Sequence, residues 1–458
     1  MLSYLDHPPM VAWFVRLGTT LFGNTPFGAR FAFIVALPLI ELVFADIARR
    51  RAQSMTAALL VVLALEATAY FGGIAVIIEP GVPMVLFTAL LFWSLCRLDE
   101  TGDPRWWLAV GLFGGLALLS KYLVVFFAPA VLVYVLASPR GRRAVKSRYF
   151  GLAILVTLLL FLPVLIWNAL HDWASFRFQF ARASSNGPAD LAGLRDYLAT
   201  NLAFAGIVLA PVVALGSVLA LIAGWRRGDA VTVSLAVAFL VPFLYLAERA
   251  LHFPVYPSWA IVMWPFGITA LAIAVGMKSG RRRRWLAGFA GAGIVLALPV
   301  VTALLVHGIV PGVWLGGRDP IGSEAGFGGL AQQALALAKA HGATWIATSD
   351  YRTYATLRWQ LRDQMPVVMV IERSRFLDFA PPDLSSIDNQ PGLYVFGGSA
   401  GLPLVEQAIA GHAQPVGRLD RIWRGVSMGS YGAELITGWK PPLDAPPGTP
   451  FYLWPTLA

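Results

Sequence analysis

The sequence predicts a polytopic α-helical membrane protein that ends in a water-soluble α/β domain. Three observations carry this. Only 13% of the 458 residues are charged and 57% are hydrophobic, with a mean hydropathy of +0.67. Soluble domains carry about 25% charged residues, so the chain has too little polar surface for a soluble protein of its size. Apolar runs of spanning length recur through the first 310 residues. The strongly basic loops between those runs all fall on one side.

A span needs roughly 17 to 25 apolar residues. On that measure about ten segments are expected, near 28–47, 55–78, 82–96, 106–120, 122–137, 149–168, 200–224, 229–247, 256–277 and 285–308. The third, fourth and fifth are short and read as tilted, broken or partly re-entrant. Orientation comes from the loops. Arg49-Arg50-Arg51 follows the first segment, and a mixed-sign run from Arg97 to Arg105 follows the third. Arg140, Arg142, Arg143, Lys146 and Arg148 follow the fifth. Arg226-Arg227 follows the seventh, and Lys278 with Arg281 to Arg284 follows the ninth. That side is cytoplasmic by the positive-inside rule.

Three parts are therefore expected. Residues 1–27 form an extracytoplasmic loop with an interfacial helix. Residues 28–310 form the transmembrane domain. Residues 311–458 form a soluble extracytoplasmic α/β domain. In that last part Ala331 to His341 has a helical pattern, while 343–347, 366–371 and 392–396 read as strands between turn signals.

The net charge of +10 and a pI near 9.9 raise nucleic-acid binding as an option. The placement of the charge favours positive-inside loops and no nucleic-acid partner. Arg49 to Arg51 and Arg281 to Arg284 read as solvated cytoplasmic flanks. The single cysteine, Cys96, excludes an intramolecular disulfide and a Cys-based metal cluster. The first residues are neither basic nor a continuous apolar run, so no cleavable signal peptide is expected.

Candidate chemistry starts at Tyr4-Leu5-Asp6-His7-Pro8-Pro9. The structural reading is a helix start capped by Asp6, because proline is tolerated in a first helical turn. The functional reading is an acid and a base held at the membrane surface. Lys121, in Ser120-Lys121-Tyr122, is either a lysine snorkelling to the interface or a binder of phosphate. Trp167, Asn168, His171 and Trp173 are either an aromatic belt with a capping Asn or the wall of a substrate cavity. Glu248, Arg249 and His252 read as a mutual salt bridge. Tyr351 and Tyr354 read first as core or interface tyrosines.

The stretch YLDHPPMVAWFVRLGTTLFGNTPFGARF resembles a signature of bacterial polytopic glycosyltransferases. These belong to the dolichyl-phosphate-mannose–protein mannosyltransferase-like superfamily of the GT-C class, with the lipid A aminoarabinose transferases and rhizobial galacturonosyltransferases as relatives. GLALLSKYLVVFFAPAVLVYVL, PVLIWNALHDWASFRFQFAR and GATWIATSDYRTYATLRWQL resemble further family segments, in the same order.

The resemblance implies a GT-C-like fold and an inner-membrane enzyme. Such an enzyme moves a sugar from a polyprenyl-phosphate donor to a lipid or cell-envelope acceptor, with inversion. It places His7, Lys121 and Tyr122 around the donor phosphate; the family's usual catalytic acid lies ahead of this segment, and Asp6 and Glu79 are taken as the candidate catalytic carboxylates here. Tyr4, Trp167, Asn168, His171 and Tyr351 would line the substrate cavity. It implies no certain cofactor, with a divalent metal ion as an option, and membrane lipids as partners. Two departures stand out. Relatives place an acidic motif and one more span ahead of the D-H-P-P segment, so Met1 is expected to stand inside a loop whose first half is absent. Where relatives commonly carry an Asp, this chain has Gly81, with Glu79 two residues away. The alternative reading is therefore a non-catalytic relative that binds lipid or scaffolds a complex. A transporter fits less well, since Glu41, Asp46 and Glu66 are the main charges within spans.

Overall fold

A computed structural model describes residues 2–72, 77–184, 187–277, 281–310, 325–369, 389–397 and 411–438, with residues 312, 322 and 387. The chain forms two compact units, Met1–Ala303 and Leu304–Ala458.

The first unit is helical. α1 (Met10–Phe22) leads into α2 (Pro26–Ala52), α3 (Met55–Glu66), the single turn α4 (Ala69–Gly72), α5 (Gly81–Thr101) and α6 (Trp106–Leu118). A 3-10 segment, Tyr122–Phe127, runs straight into α7 (Ala128–Ala137). Then come α8 (Pro139–Ala144), α9 (Arg148–Leu170), α10 (Ala174–Ser184), α11 (Leu191–Ala205), α12 (Leu209–Arg227) and α13 (Ala230–Ala250). The unit closes with α14 (Pro257–Ala260), α15 (Trp264–Met277) and α16 (Arg281–Ile309). Among the described residues seven helical stretches are long and apolar enough to cross a membrane, against the ten segments expected.

The differences have local causes. The second expected span breaks after Glu66, where the Thr68 hydroxyl bonds the Leu65 carbonyl at 2.8 Å and begins a new turn. The seventh breaks at Gly206, whose φ of 93° suits glycine. The third, expected to be short, is a full 21-residue helix that carries its polar residues 97–101 into the bundle end. The fourth and fifth are short, as expected. Proline sits inside α2, α9, α13 and α16; neighbouring helices make such breaks tolerable in a membrane.

Lipid supplies little drive to bring helices together, so close approach depends on small residues. A Cβ on Gly111 of α6 would collide with the Ala153 backbone of α9. Thr157 of α9 donates its hydroxyl to the Gly111 carbonyl at 2.8 Å across the same crossing. α1 and α2 meet through Gly18 and Gly28, where a Cβ on Gly18 would strike the Gly28 carbonyl. Thr25 caps α2, accepting from the Gly28 amide at 2.9 Å, with Pro26 in the first turn.

At the end carrying the basic loops, Arg49 is exposed as expected, while the expectation of solvated arginines is corrected at Arg50 and Arg51. Arg51 is only 15% exposed at its side chain; it pairs with Asp99 at 3.1 Å and with Asp229. Arg50 bridges Asp46 at 2.5 Å and Glu100 at 3.1 Å. Trp93 donates its indole N–H to Asp46 at 2.8 Å. α2, α5 and α13 are thus joined by one ionic network, because a half-buried guanidinium needs a carboxylate.

The second unit holds α17 (Phe327–Ala340), β1 (Trp345–Thr348), α18 (Tyr351–Leu361), β2 (Val367–Met369), β3 (Gly392–Gly397), β4 (His412–Trp423) and β5 (Val426–Thr437). The sheet order is β2-β1-β3-β5-β4; β1 runs parallel to both neighbours, and β3, β5 and β4 are antiparallel. Ile346 and Leu393 face the helices with Leu330 and Leu357, while Trp345, Val368 and Tyr394 build a second core on the opposite face. The expected helix and three strands are present. Residues 370 and 371 of the second strand lie outside the described residues.

The Gly111 crossing has a built-in control. Gly111→Ala should destabilise the protein by about 1–3 kcal/mol through overpacking, seen as a lower melting temperature in detergent. Gly151→Ala, on the exposed face of α9 where a Cβ would meet nothing within 4 Å, should leave it unchanged or raise it slightly. Equal effects at both positions would refute the crossing.

Candidate active site

Tyr4 to Pro9 lies across one end of the helical unit. The Met10 amide donates to the Leu119 carbonyl at 3.0 Å, which ties the start of α1 to the end of α6. Gln179 of α10 donates its side-chain amide to the Asp6 carbonyl at 2.7 Å. Leu5, Pro8, Pro9 and Met10 are buried, and Met10 packs with Leu119 and Val164. Asp6 does not cap α1. The cap position is Pro9, with no side-chain hydrogen bond.

Beneath this loop the structure joins two candidates that are 42 positions apart. Lys121 Nζ donates to Glu79 Oε1 at 2.7 Å and to the Ser258 carbonyl at 3.1 Å. Glu79 Oε2 accepts from the Gly81 amide at the start of α5. A carboxylate at a helix N-terminus is favoured by the exposed amides there. The side chain of Lys121 is 3% exposed and that of Glu79 15%. Snorkelling is thereby corrected: the ammonium is turned into protein and held by its counter-charge. An ammonium has three hydrogens. Two are taken, and a bound anion could accept the third.

This arrangement explains Gly81. A Cβ there would collide with Glu79 Oε2. The glycine is the first residue of α5, and its role there is close approach.

Tyr4 stands among these groups. Burial raises the pKa of its phenol well above the ordinary value, and the charges of Asp6 and Glu79 push it further the same way, followed by Tyr122. Tyr4 is therefore a neutral O–H donor. Its ring meets His7 edge-on, with centroids 6.1 Å apart.

Tyr122 and Ser175 share a hydrogen bond of 2.8 Å between hydroxyls. Asn168 shapes the corner between α9 and α10. It donates to the Val164 carbonyl at 3.0 Å, accepts from the Phe176 amide at 3.3 Å, and its carbonyl takes the Trp173 amide at 2.7 Å. Asp172 and Trp173 both adopt positive φ, 56° and 57°. Two successive non-glycine residues there store strain of about 1–3 kcal/mol each. The corner leaves Trp173 45% exposed and stacked on Phe176 at 5.8 Å. Trp167 and His171 stack at 4.2 Å. The belt and the cavity wall are thus compatible descriptions of one corner.

Asp6, His7, Tyr4, Glu79, Lys121, Tyr122 and Asn168 all sit at this end. Tyr351 belongs to the second unit, opens α18 behind its Asp350 cap, and is 44% exposed. Glu248, Arg249 and His252 form the expected ion-pair group, with Arg249 to Glu248 at 2.8 Å and His252 to Glu248 at 3.7 Å. Sequence reasoning missed Ser175, Gln179 and Ser258. The first two stand inside the segment PVLIWNALHDWASFRFQFAR, where the signal was present and the aromatic, Asn and His positions alone were singled out, and Ser258 contributes only a backbone oxygen. Among the described residues no three His, Cys, Asp or Glu side chains come together to hold a metal. Glu79 already places both oxygens on Lys121 and Gly81, so this donor set does not suit a metal ion.

A helical membrane unit with a polar site at one bundle end, followed by an α/β unit, is the class that fold and site define. Residues 6–167 match the family model described as dolichyl-phosphate-mannose-protein mannosyltransferase. The chain is 25% identical over 375 residues to the lipid A galacturonosyltransferase RgtD of Rhizobium johnstonii, covering 79% of this chain and 75% of that protein. It is 28% identical over 185 residues to an undecaprenyl phosphate-alpha-4-amino-4-deoxy-L-arabinose arabinosyl transferase of Pseudomonas paraeruginosa, an alignment spanning 39% of this chain and 33% of that relative. In structure it resembles ArnT from Cupriavidus metallidurans, with a TM-score of 0.62 and 17% identity over 94% of this chain and 88% of that one. Residues 6–167 thus carry the match to that family, and the chain as a whole has a GT-C-like fold.

Removing one partner of a buried ion pair costs about 3–5 kcal/mol. Glu79→Gln should therefore lower the melting temperature sharply. Adding Lys121→Met should recover much of that loss, since no unpaired charge remains. If the double variant is as unstable as the sum of its singles, the pair is not coupled.

Proposed function

We propose that the chain moves a sugar from a polyprenyl-phosphate donor to a lipid or cell-envelope acceptor, on the outer side of the membrane. The observation that carries this is the gathering of the D-H-P-P loop, Ser120-Lys121-Tyr122 and the Trp167-to-Trp173 corner around one buried Lys121–Glu79 pair. A solved ArnT from Cupriavidus metallidurans with the same fold holds undecaprenyl phosphate, which supports a donor of that class here.

The reaction is displacement at the anomeric carbon. The acceptor hydroxyl attacks, the bond from that carbon to the phosphate oxygen breaks, and the lipid phosphate leaves. The leaving phosphate needs positive charge and donors. Lys121 has its third hydrogen for this, and His7 and the Tyr4 hydroxyl add donors. Glu79 holds Lys121 in place and is a positioning residue. Asp6 takes the acceptor proton as general base. The second unit, read as extracytoplasmic, bears on acceptor choice through the exposed Tyr351. Residues Trp167 and His171 offer a stacked wall to substrate.

One observation favours a second reading. Both Glu79 oxygens are engaged, so a lipid-binding relative without transfer would keep the same pair. Reconstituted protein given a labelled polyprenyl-phosphate sugar separates the two. Release of label to an acceptor supports the enzyme; donor binding with no transfer supports the alternative. In the enzyme, Asp6→Asn should lower kcat by about 10²–10⁴-fold with donor binding largely kept. Activity that persists in the combined His7→Ala and Lys121→Ala variant refutes the phosphate assignment.

A further inference from the structure

The arginines at the basic end of the helical unit are of two kinds. Arg50, Arg51 and Arg97 each meet a carboxylate. Arg281, Arg283 and Arg284, at the start of α16, are exposed and have no ion-pair partner among the described residues. From Lys278 to Ala292 the sequence carries five basic residues and no acidic one. Local repulsion of that kind is relieved by an outside anion.

The helix continues that charge into a groove. Positions 281, 284, 288 and 292 recur at helical spacing and share one face. Arg281, Arg284, Trp285, Gly288, Phe289 and Ala292 line a shallow groove of ≈ 530 Å³. Trp285 and Phe289 are 57% and 52% exposed and stack at 6.0 Å. Between them Gly288 leaves a slot, because a Cβ there would meet nothing within 4 Å. The opposite face of α16, with Leu286, Ala290, Ile294 and Ala297, is buried in the helical unit. The groove therefore looks outward from a helix apolar enough to span a membrane. Its occupant must be anionic at one end and apolar at the other.

We propose that this face of α16 binds one anionic phospholipid, its phosphate between Arg281 and Arg284 and an acyl chain along Gly288 and Ala292. Arginine forks match phosphate oxygens, and Trp285 stands at the start of the apolar span Arg283–Ile309, where aromatic rings favour the interface. A soluble anion would satisfy the arginines but leave the groove empty. A protein partner would need more than one basic turn and a slot one residue wide.

The test uses the purified full chain in nanodiscs of zwitterionic phosphatidylcholine, titrated with phosphatidylglycerol and read by retained lipid in native mass spectrometry. Wild type should retain phosphatidylglycerol over phosphatidylcholine. Arg281→Ala with Arg284→Ala should weaken retention by about thirtyfold, at about 1 kcal/mol per arginine near a membrane surface. Gly288→Leu, which fills the slot and leaves the charges, should weaken it as well. Arg226→Ala, an exposed arginine elsewhere on the same side, should not. Unchanged retention in the double variant overturns the site. So does an equal loss in Arg226→Ala, which would mean diffuse attraction, or equal competition by inorganic phosphate. Each variant is compared at a melting temperature matching wild type; a fall there moves the reading to Arg281→Lys with Arg284→Lys, which should retain binding only in part.

Discussion

A lysine almost removed from water needs a counter-charge, and much of the site follows from how Lys121 finds one. Its ammonium turns away from the interface to Glu79 and the Ser258 carbonyl. That brings the start of α5, the junction after α6 and the start of α14 to one point. Glu79 reaches the lysine only because it folds back on the Gly81 amide, where any side chain would collide with it. Low dielectric makes the pair strong once formed and makes either half alone a liability. The loop from Tyr4 to Pro9 then lies over a fixed charge arrangement, with the neutral Tyr4 phenol within reach of the charges of Asp6 and Glu79.

The helices can hold such a point because they approach closely elsewhere. Glycines at 18, 28 and 111 let backbones touch where lipid offers no hydrophobic drive. Breaks at Glu66 and Gly206, and the 3-10 segment after Lys121, place polar backbone at helix ends instead of in mid-span. Irregular backbone at such depth is tolerated where it is buried in protein or lines a cavity. The ends of short helices therefore become the places where function can be built.

The opposite end handles charge differently. Arg51 is enclosed by Asp99 and Asp229, so its network is a clamp on α2, α5 and α13. Net charge near neutral in that cluster leaves the unpaired surplus to other loops, above all the start of α16. One positive-inside signal in the sequence thus divides into structural and exposed arginines. The division rests on whether a carboxylate from a distant helix arrives.

The sequence by itself determined the membrane class, the approximate place of the apolar segments, the α/β character of the last part and the resemblance to a glycosyltransferase family. These depend on runs of neighbouring residues, and the hydrophobic period of a helix or strand is written in adjacent positions. It also named Asp6, His7, Glu79 and Lys121 from local motifs. Only the tertiary structure decided that Glu79 and Lys121 are partners across 42 positions, that Arg51 meets Asp229 across 178, and that the Ser258 carbonyl belongs to the site. It likewise decided that Asp6 caps nothing and that the chain breaks at Glu66 and Gly206. The physical reason is the same throughout. A charge or a backbone oxygen is defined by what packs against it, and in this chain that is decided by how helices far apart in sequence cross.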